Sequence, residues 1–244
     1  MKRIIIIGAT SGIGEEVARI YTQQGWRVGI AGRRAERLED LQKTAPHQIE
    51  VQPMDVTTEK ATEELQLLIE KLGGMDLFLL SSGIGYQNTS LTPAIELSTV
   101  HTNVQGFTRL VTAAYHYFQQ QGGGHLAVIS SIAGTKGLGV APAYSASKRF
   151  QNTYIDSLAQ LSRMNKTPIT FTDIRPGFVA TALLKEERYP LLMKPQEVAA
   201  AIVKGLSRKK RRIVIDGRYK ILVFFWRMIP QWLWERLPIH NGLT

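Results

Sequence analysis

The chain has no cysteine among its 244 residues. Disulfides, thiolate metal centres and a cysteine nucleophile are therefore excluded, and a redox reaction needs a borrowed cofactor. Histidine is scarce too. The five histidines, at positions 47, 101, 116, 125 and 240, show no metal-ligand spacing, so no metal site is expected. Each is assigned by default to surface or core, and His101, two residues before Asn103, is the one with a route to facing an active site. Long apolar runs are missing: no stretch approaches the roughly 18 uninterrupted apolar residues of a spanning helix. The opening MKRIIIIGAT stops after four isoleucines at Gly8 with no small-residue cleavage site behind it, which reads as a strand and not as a secretory signal. A soluble, cytoplasmic body is expected.

Acidic residues are in deficit, 20 against 30 lysines and arginines, for a net charge of +10. The excess is local. Between Lys204 and Lys220 eight basic residues stand against one acid, Asp216, and the remainder is close to balanced. A generally basic surface is thus not indicated, no DNA- or RNA-binding motif is found, and no nucleic-acid partner is expected. The hydrophobic fraction of 44% is enough for a real core, and a single α/β domain of this size is ordinary.

Strand and helix signals alternate from the first residue. Strands are expected at Lys2–Ile7, Arg27–Ala31, Ile49–Met54, Asp76–Ser81, His125–Ser130, Ile169–Ile174 and Arg212–Asp216. Helices are expected at Ile13–Gln24, Arg34–Thr44, Glu59–Leu72, about Pro93 to Gln121, about Pro142 to Met164, and Pro195–Ser207. Alternation with apolar strands implies an α/β fold: one doubly wound parallel sheet of about seven strands with helices on both faces. No internal repeat or linker interrupts it.

Two loops carry chemistry. After the first strand the chain reads Gly8-Ala9-Thr10-Ser11-Gly12-Ile13-Gly14; glycines there let the backbone approach a pyrophosphate, and the following helix offers its N-terminal N–H groups. About twenty residues on, the second strand ends at Ala31-Gly32-Arg33-Arg34. An acid at that place would bind a ribose 2′-hydroxyl, whereas arginine accommodates a 2′-phosphate, so NADP(H) is the expected cofactor.

The stretch Ile129 to Arg149, ISSIAGTKGLGVAPAYSASKR, holds Ser131, Tyr144 and Lys148. In a helix from about Pro142, Tyr144 and Lys148 share one face, which sets a phenol beside an ammonium. A nearby cation favours the phenolate and lowers the phenol's ordinary value of about 10, fitting Tyr144 to trade a proton with an alcohol or carbonyl oxygen. Ser131 follows an apolar run whose carboxyl end is where ligands gather in open α/β sheets, and its hydroxyl is placed to hydrogen-bond the same oxygen.

Over at least Met1 to about Ser207 these residues together resemble the short-chain dehydrogenase/reductase family. The glycine pattern falls at Gly8, Gly12 and Gly14, Asp55-Val56 matches the adenine-contacting Asp after the third strand, and Asn103 matches the active-site Asn in the long helix. Ser131 lies thirteen residues before Tyr144, a spacing that selects it over Ser130; Tyr144-Ser-Ala-Ser-Lys148 is the family's Y-x-x-x-K, and Pro176-Gly177 with Thr181 matches the segment holding the nicotinamide carboxamide. The resemblance implies a single Rossmann domain, residues 1–217, and hydride exchange between a carbonyl and an alcohol. Tyr144 would be the acid/base and Ser131 would polarise the substrate oxygen. Lys148 would depress the Tyr144 pKa and bind the nicotinamide ribose, and Asn103 would hold a water linking Lys148 to solvent. Cofactor contacts are implied for Gly8, Thr10, Ser11, Gly12, Ile13, Gly14, Arg33, Arg34, Asp55, Val56, Gly83, Tyr144, Lys148, Pro176, Gly177, Val179 and Thr181. Two departures stand out: Ile7 replaces the usual Thr before the first glycine, and Ser81-Ser82-Gly83-Ile84 replaces N-N-A-G, removing an Asn that braces the strand.

By the same resemblance residues 178–194 form a mobile lid over the substrate. Leu183, Leu184, Leu191, Leu192 and Met193 suit either an apolar pocket wall or ordinary packing. The extension 218–244 includes YKILVFFWRMIPQWLWERL at 219–237, with three of the four tryptophans; two short amphipathic helices broken at Pro230 would serve a membrane surface, a partner subunit of a homo-oligomer, or the chain itself. The leading expectation is an NADP(H)-dependent carbonyl reductase or alcohol dehydrogenase for a small or lipophilic substrate. The rivals are a 3-ketoacyl carrier-protein reductase and an NADP(H)-binding sensor or scaffold without turnover.

Overall fold

The computed structural model describes residues 1–182, 184 and 189–239. His240 and Leu183 fall outside them. The four isoleucines Ile4–Ile7 are all fully buried, as a strand covered on both faces requires. They form most of β1 (Arg3–Ile7), and their alternation divides the core. Ile4 and Ile6 join the cluster under α1 (Gly12–Gln23) and α7 (Pro195–Ser207). Ile5 and Ile7 join the one under α3 (Ala61–Leu72), α5 (Phe107–Gln120) and α6 (Pro142–Met164).

The other strands are β2 (Arg27–Gly32), β3 (Ile49–Pro53), β4 (Leu77–Leu80), β5 (Gly124–Ile129), β6 (Ile169–Arg175) and β7 (Arg212–Val214). Among the described residues they make one parallel sheet in the order β3-β2-β1-β4-β5-β6-β7. The chain winds one way from β1 to β3 and the other way from β4 to β7. The crevice between the carboxyl ends of β1 and β4 is thus the switch point where a dinucleotide is bound in such sheets.

Two expectations are corrected. The single helix from Pro93 to Gln121 is α4 (Pro93–Val100), a π-helical stretch His101–Gly106 and then α5. A wider turn of this type is a recurrent feature of functional sites, and here it carries Asn103. The last strand does not reach Asp216: it ends at Val214, because Asp216 has φ +72° and its carboxylate accepts the Arg218 N–H at 2.9 Å, starting α8 (Gly217–Met228). Pro230 separates α8 from α9 (Gln231–Trp234). One side of this tail packs on its own chain. Trp234 is buried with Leu138, Val140 and Ala141, stacks edge-on with Trp226 at 5.3 Å, and donates from its indole N–H to the Gly137 carbonyl at 2.7 Å. No helix among the described residues is long and apolar enough to cross a membrane.

His125, on β5, is the one buried histidine among the described residues; its Nε2 lies 2.8 Å from the Thr172 hydroxyl. Burial, helped by Lys209, pushes it down to about 4 from its ordinary value. The unfolded chain therefore takes up a proton on this group as pH falls through about 6.5, and the folded chain does not, so stability is lost between roughly pH 6.5 and 4. Chemical denaturation of wild type and His125→Gln at pH 7 and pH 4.5 measures this: the acid-induced loss should be smaller by about 2 kcal/mol in the variant.

Candidate active site

The loop after β1 is built on close approach. Gly8 has φ +92°, and a Cβ there would lie 2.5 Å from the Ser82 nitrogen beyond β4; a Cβ on Gly14 would collide with the Gly8 carbonyl oxygen. Only glycine lets α1 start this close to both strands. Thr181 closes the loop from the far side, with its methyl 2.9 Å from where a Gly12 Cβ would stand. Ile13 packs on the core from the first turn of α1.

Arg33 and Arg34 are both exposed at the end of β2. Arg34 donates to the Thr10 hydroxyl at 2.8 Å and to the Ser11 hydroxyl at 2.7 Å, which fixes the edge of the loop. Asp55, just after β3, lies within electrostatic reach of Arg33. Burial works to raise its carboxyl, but hydrogen bonds from the Thr57 N–H and hydroxyl, with Arg33 and His101 nearby, hold it below the ordinary carboxylate value. His101 is exposed and lies close enough to Asp55 to act on its carboxylate. The Val56 carbonyl accepts from Arg109 at 3.2 Å and approaches Gly106 too closely for any side chain there.

The second half of the site lies at the ends of β4 and β5. Ser131 is extended at φ −172°, and its Oγ accepts the Ala133 N–H at 3.1 Å, capping the short turn Ile132–Thr135. Tyr144 lies in the first turn of α6, where a Cβ on Gly85 would press on its ring at 2.7 Å. Its phenol is not depressed as expected: burial pushes it above its ordinary value, and the neighbouring Ser131 hydroxyl works in the opposite direction. The reason is where Lys148 points. Its Nζ stands over the Tyr144 ring, 5.7 Å from the centroid, and donates to the Ile129 carbonyl at 3.2 Å and to Gln151 Oε1 at 3.0 Å. Burial lowers Lys148 itself to about 8, against an opposing pull from Asp173.

Asn103 spends its whole amide on structure. Oδ1 accepts the Ile84 N–H at 2.9 Å, and Nδ2 donates to the Ile84 carbonyl at 2.7 Å and to the Ser147 hydroxyl at 3.1 Å. Gly83 leaves the space in front of Asn103 Oδ1 and Lys148 Nζ open. Sequence reasoning missed Gln151, whose Nε2 donates to the Asn103 carbonyl at 2.9 Å while its Oε1 receives Lys148. This side chain joins Asn103 to Lys148 directly. The available signal was spacing: 144, 147, 148 and 151 lie on one helix face.

Val179 pairs with Met193 across the segment expected to form the lid: Ala180 N–H donates to the Met193 carbonyl at 2.9 Å, and Met193 N–H to that of Phe178 at 3.0 Å. Met193 is buried in the core, whereas Leu191 and Leu192 are partly exposed, so of the expected apolar wall only Met193 is packed this way among these three. Tyr189 stacks on Phe178 at 4.7 Å and accepts from Gln87 at 3.3 Å. Tyr219, also unanticipated, underpins the segment. Its ring fills the space beside Gly177, its hydroxyl accepts the Phe178 N–H at 3.1 Å, and the same hydroxyl donates to the Pro190 carbonyl at 3.0 Å.

These residues fit a dinucleotide: a glycine cradle that any Cβ would fill, exposed guanidinium groups at its rim, and a buried ammonium at the inner end. No cluster of three or more metal-ligating side chains occurs among the described residues.

Comparison with known proteins gives the same placement. The short chain dehydrogenase family matches residues 2–191. An uncharacterized oxidoreductase of Myxococcus xanthus is 30% identical over 239 residues, covering 95% of this chain and 94% of that one. Another from Mycobacterium tuberculosis is 29% identical over 247 residues, covering 97% and 94%. Among solved structures, a 3-ketoacyl-(acyl-carrier-protein) reductase from Brucella melitensis complexed with NADH superposes with a TM-score of 0.79 at 23% identity, over 88% of this chain and 97% of that one. An alcohol dehydrogenase from the archaeon Thermococcus sibiricus complexed with 5-hydroxy-NADP gives 0.78 at 23% identity, over 90% and 97%. The chain belongs to the short-chain dehydrogenase family of oxidoreductases.

Proposed function

We propose that the protein is an NADP(H)-dependent oxidoreductase that interconverts a ketone or aldehyde with its alcohol. The observation that carries this reading is the convergence of the Ser131 and Tyr144 hydroxyls at the carboxyl end of β5, beside a buried Lys148. The loop Gly8–Gly14, Asp55, Val56 and the segment Pro176–Thr181 hold the dinucleotide, and Arg33 with Arg34 receives its 2′-phosphate. When bound, the reduced cofactor supplies the hydride that the protein's side chains cannot. Ser131 donates a hydrogen bond to the substrate oxygen and Tyr144 donates its phenolic proton there, so an alcohol leaves and a phenolate remains. A phenol held high by burial keeps that proton until the oxygen becomes basic. The Lys148 ammonium, its charge secured by Gln151, is positioned to bind the nicotinamide ribose. Leu138, Val140 and Trp234, packed together with Tyr144, make an apolar surround that favours a lipophilic carbonyl.

NADPH consumption across a carbonyl panel, from small diketones to long-chain ketones and 3-ketoacyl thioesters, tests the reading. Tyr144→Phe should bind NADPH as wild type does yet lose roughly 10²–10⁴-fold in turnover; retained turnover would sink the assignment. Arg33→Ala should raise the KM for NADPH by roughly tenfold or more, the worth of one charge-assisted hydrogen bond, and leave that for NADH unchanged.

The Lys148 value sets the alkaline limb. Its ammonium is present below pH 8 and lost above it, so kcat/KM for reduction should fall as pH rises through about 8. In Gln151→Leu the ammonium loses an acceptor, which moves the limb to lower pH. A variant whose kcat drops at every pH with the limb in place would refute this role for Gln151.

A further inference from the structure

A second basic feature lies away from the cofactor crevice, in a cavity of about 450 Å³ between α6, the β6–β7 edge and α8. Five cations line it, Lys136, Arg149, Arg175, Arg212 and Arg227, against the single carboxylate of Asp156. They come from five separate segments of the chain: the turn after β5, α6, β6, β7 and α8. Convergence of this kind is not the solvated face of one helix.

Internal partners account for only part of this charge. Arg175 is paired with buried Asp173 at 2.6 Å, and Lys136 donates to the Ile229 carbonyl at 2.9 Å. Asp156 is already engaged by Arg211 at 2.6 Å and stands 3.8 Å from Arg212. Arg149 has one long contact, 3.5 Å to the Gly134 carbonyl. Among the described residues Arg227 makes no hydrogen bond or ion pair. Its guanidinium is held below its ordinary value, first by burial and then by Arg212, Arg175 and Arg149. Arginine cannot escape such repulsion by shedding its proton, so a concave wall of this kind concentrates positive potential.

We propose that this cavity binds a phosphate monoester, with Arg227, which has no partner among the described residues, and the weakly engaged Arg149 and Arg212 as its guanidinium donors. A doubly charged tetrahedral group offers acceptors to several planar forks at once, which a single carboxylate does not. The site is separate from the one at Arg33 and Arg34, since four strands lie between β2 and β7. Two sources share this chemistry: a soluble phosphate monoester, and the headgroup of an acidic lipid. The second is suggested by α8, which carries Arg227 into the cavity and leaves Ile221, Phe224, Phe225 and Met228 about 60% exposed.

The test uses the full chain. Calorimetric titration with inorganic phosphate, against chloride at matched ionic strength, should show saturable binding. That binding should persist in Arg34→Ala and weaken at least tenfold in Arg227→Gln and in Arg149→Gln. Co-sedimentation with phosphatidylcholine vesicles, with and without phosphatidic acid, separates the sources. Arginine-dependent binding to the acidic vesicles assigns the lipid headgroup, and phosphate binding without vesicle binding assigns a soluble ligand. The ligand-free variants should melt at or above the wild-type temperature, because a repulsive charge has been removed. The proposal is overturned if neither probe binds, if binding ignores both substitutions, or if the ligand-free variants melt several degrees lower.

Discussion

The site depends on the burial of one cation. An ammonium removed from water is costly unless oxygen atoms replace its hydration, and Lys148 draws those oxygens from β5 and α6, the Ile129 carbonyl and the Gln151 amide. Gln151 in turn is held by the Asn103 carbonyl, and the Asn103 amide clamps Ile84 just past β4. The ends of β4 and β5, the π-helical turn and α6 are thus joined by one run of hydrogen bonds. A buried polar network of this type is valuable only when every member is satisfied. The π turn follows from the same demand, since it lets Asn103 reach both Ile84 and Ser147.

The fold was largely legible because its signals are local and repeated. Four isoleucines bounded by Gly8 specify a central strand, and Gly73, Gly122 and Pro195 punctuate helices in the ways their backbones dictate. The Y-x-x-x-K face of α6 and the serine thirteen residues before it were legible for the same reason, because helix period and strand end fix their positions. What the sequence did not show depends on contacts between distant segments. Gln151 looks like any polar helix residue until Asn103 is placed against it. Tyr219 looks like the start of an amphipathic tail until Gly177 leaves room for its ring. The direction of the Tyr144 shift was misjudged because spacing brings Lys148 onto the right face without saying that its ammonium points to Ile129 and Gln151.

The tail is tied to the candidate site more than its composition implies. Tyr219 joins Phe178 to Pro190, while Trp234 and Lys136 hold the loop that leads into Tyr144. Both anchors act on backbone carbonyls and N–H groups, so they set the position of loops and not their chemistry. A tyrosine hydroxyl bonded to both Phe178 and Pro190 holds these two backbone segments together from one point.

The uneven charge of the chain acquires a physical meaning from the same tail. Arg211 and Arg212 meet Asp156 on α6, and Arg218 closes on Asp216, so three of the eight basic residues between Lys204 and Lys220 are paired at the surface, where such pairs contribute little. Arg227, beyond that run, lies instead beside three other arginines. Helix α8 could relieve that repulsion by presenting a neutral residue there without disturbing Tyr219 or the Trp226–Trp234 contact. A cluster of like charges that holds no part of the fold together is what an anionic ligand would neutralise.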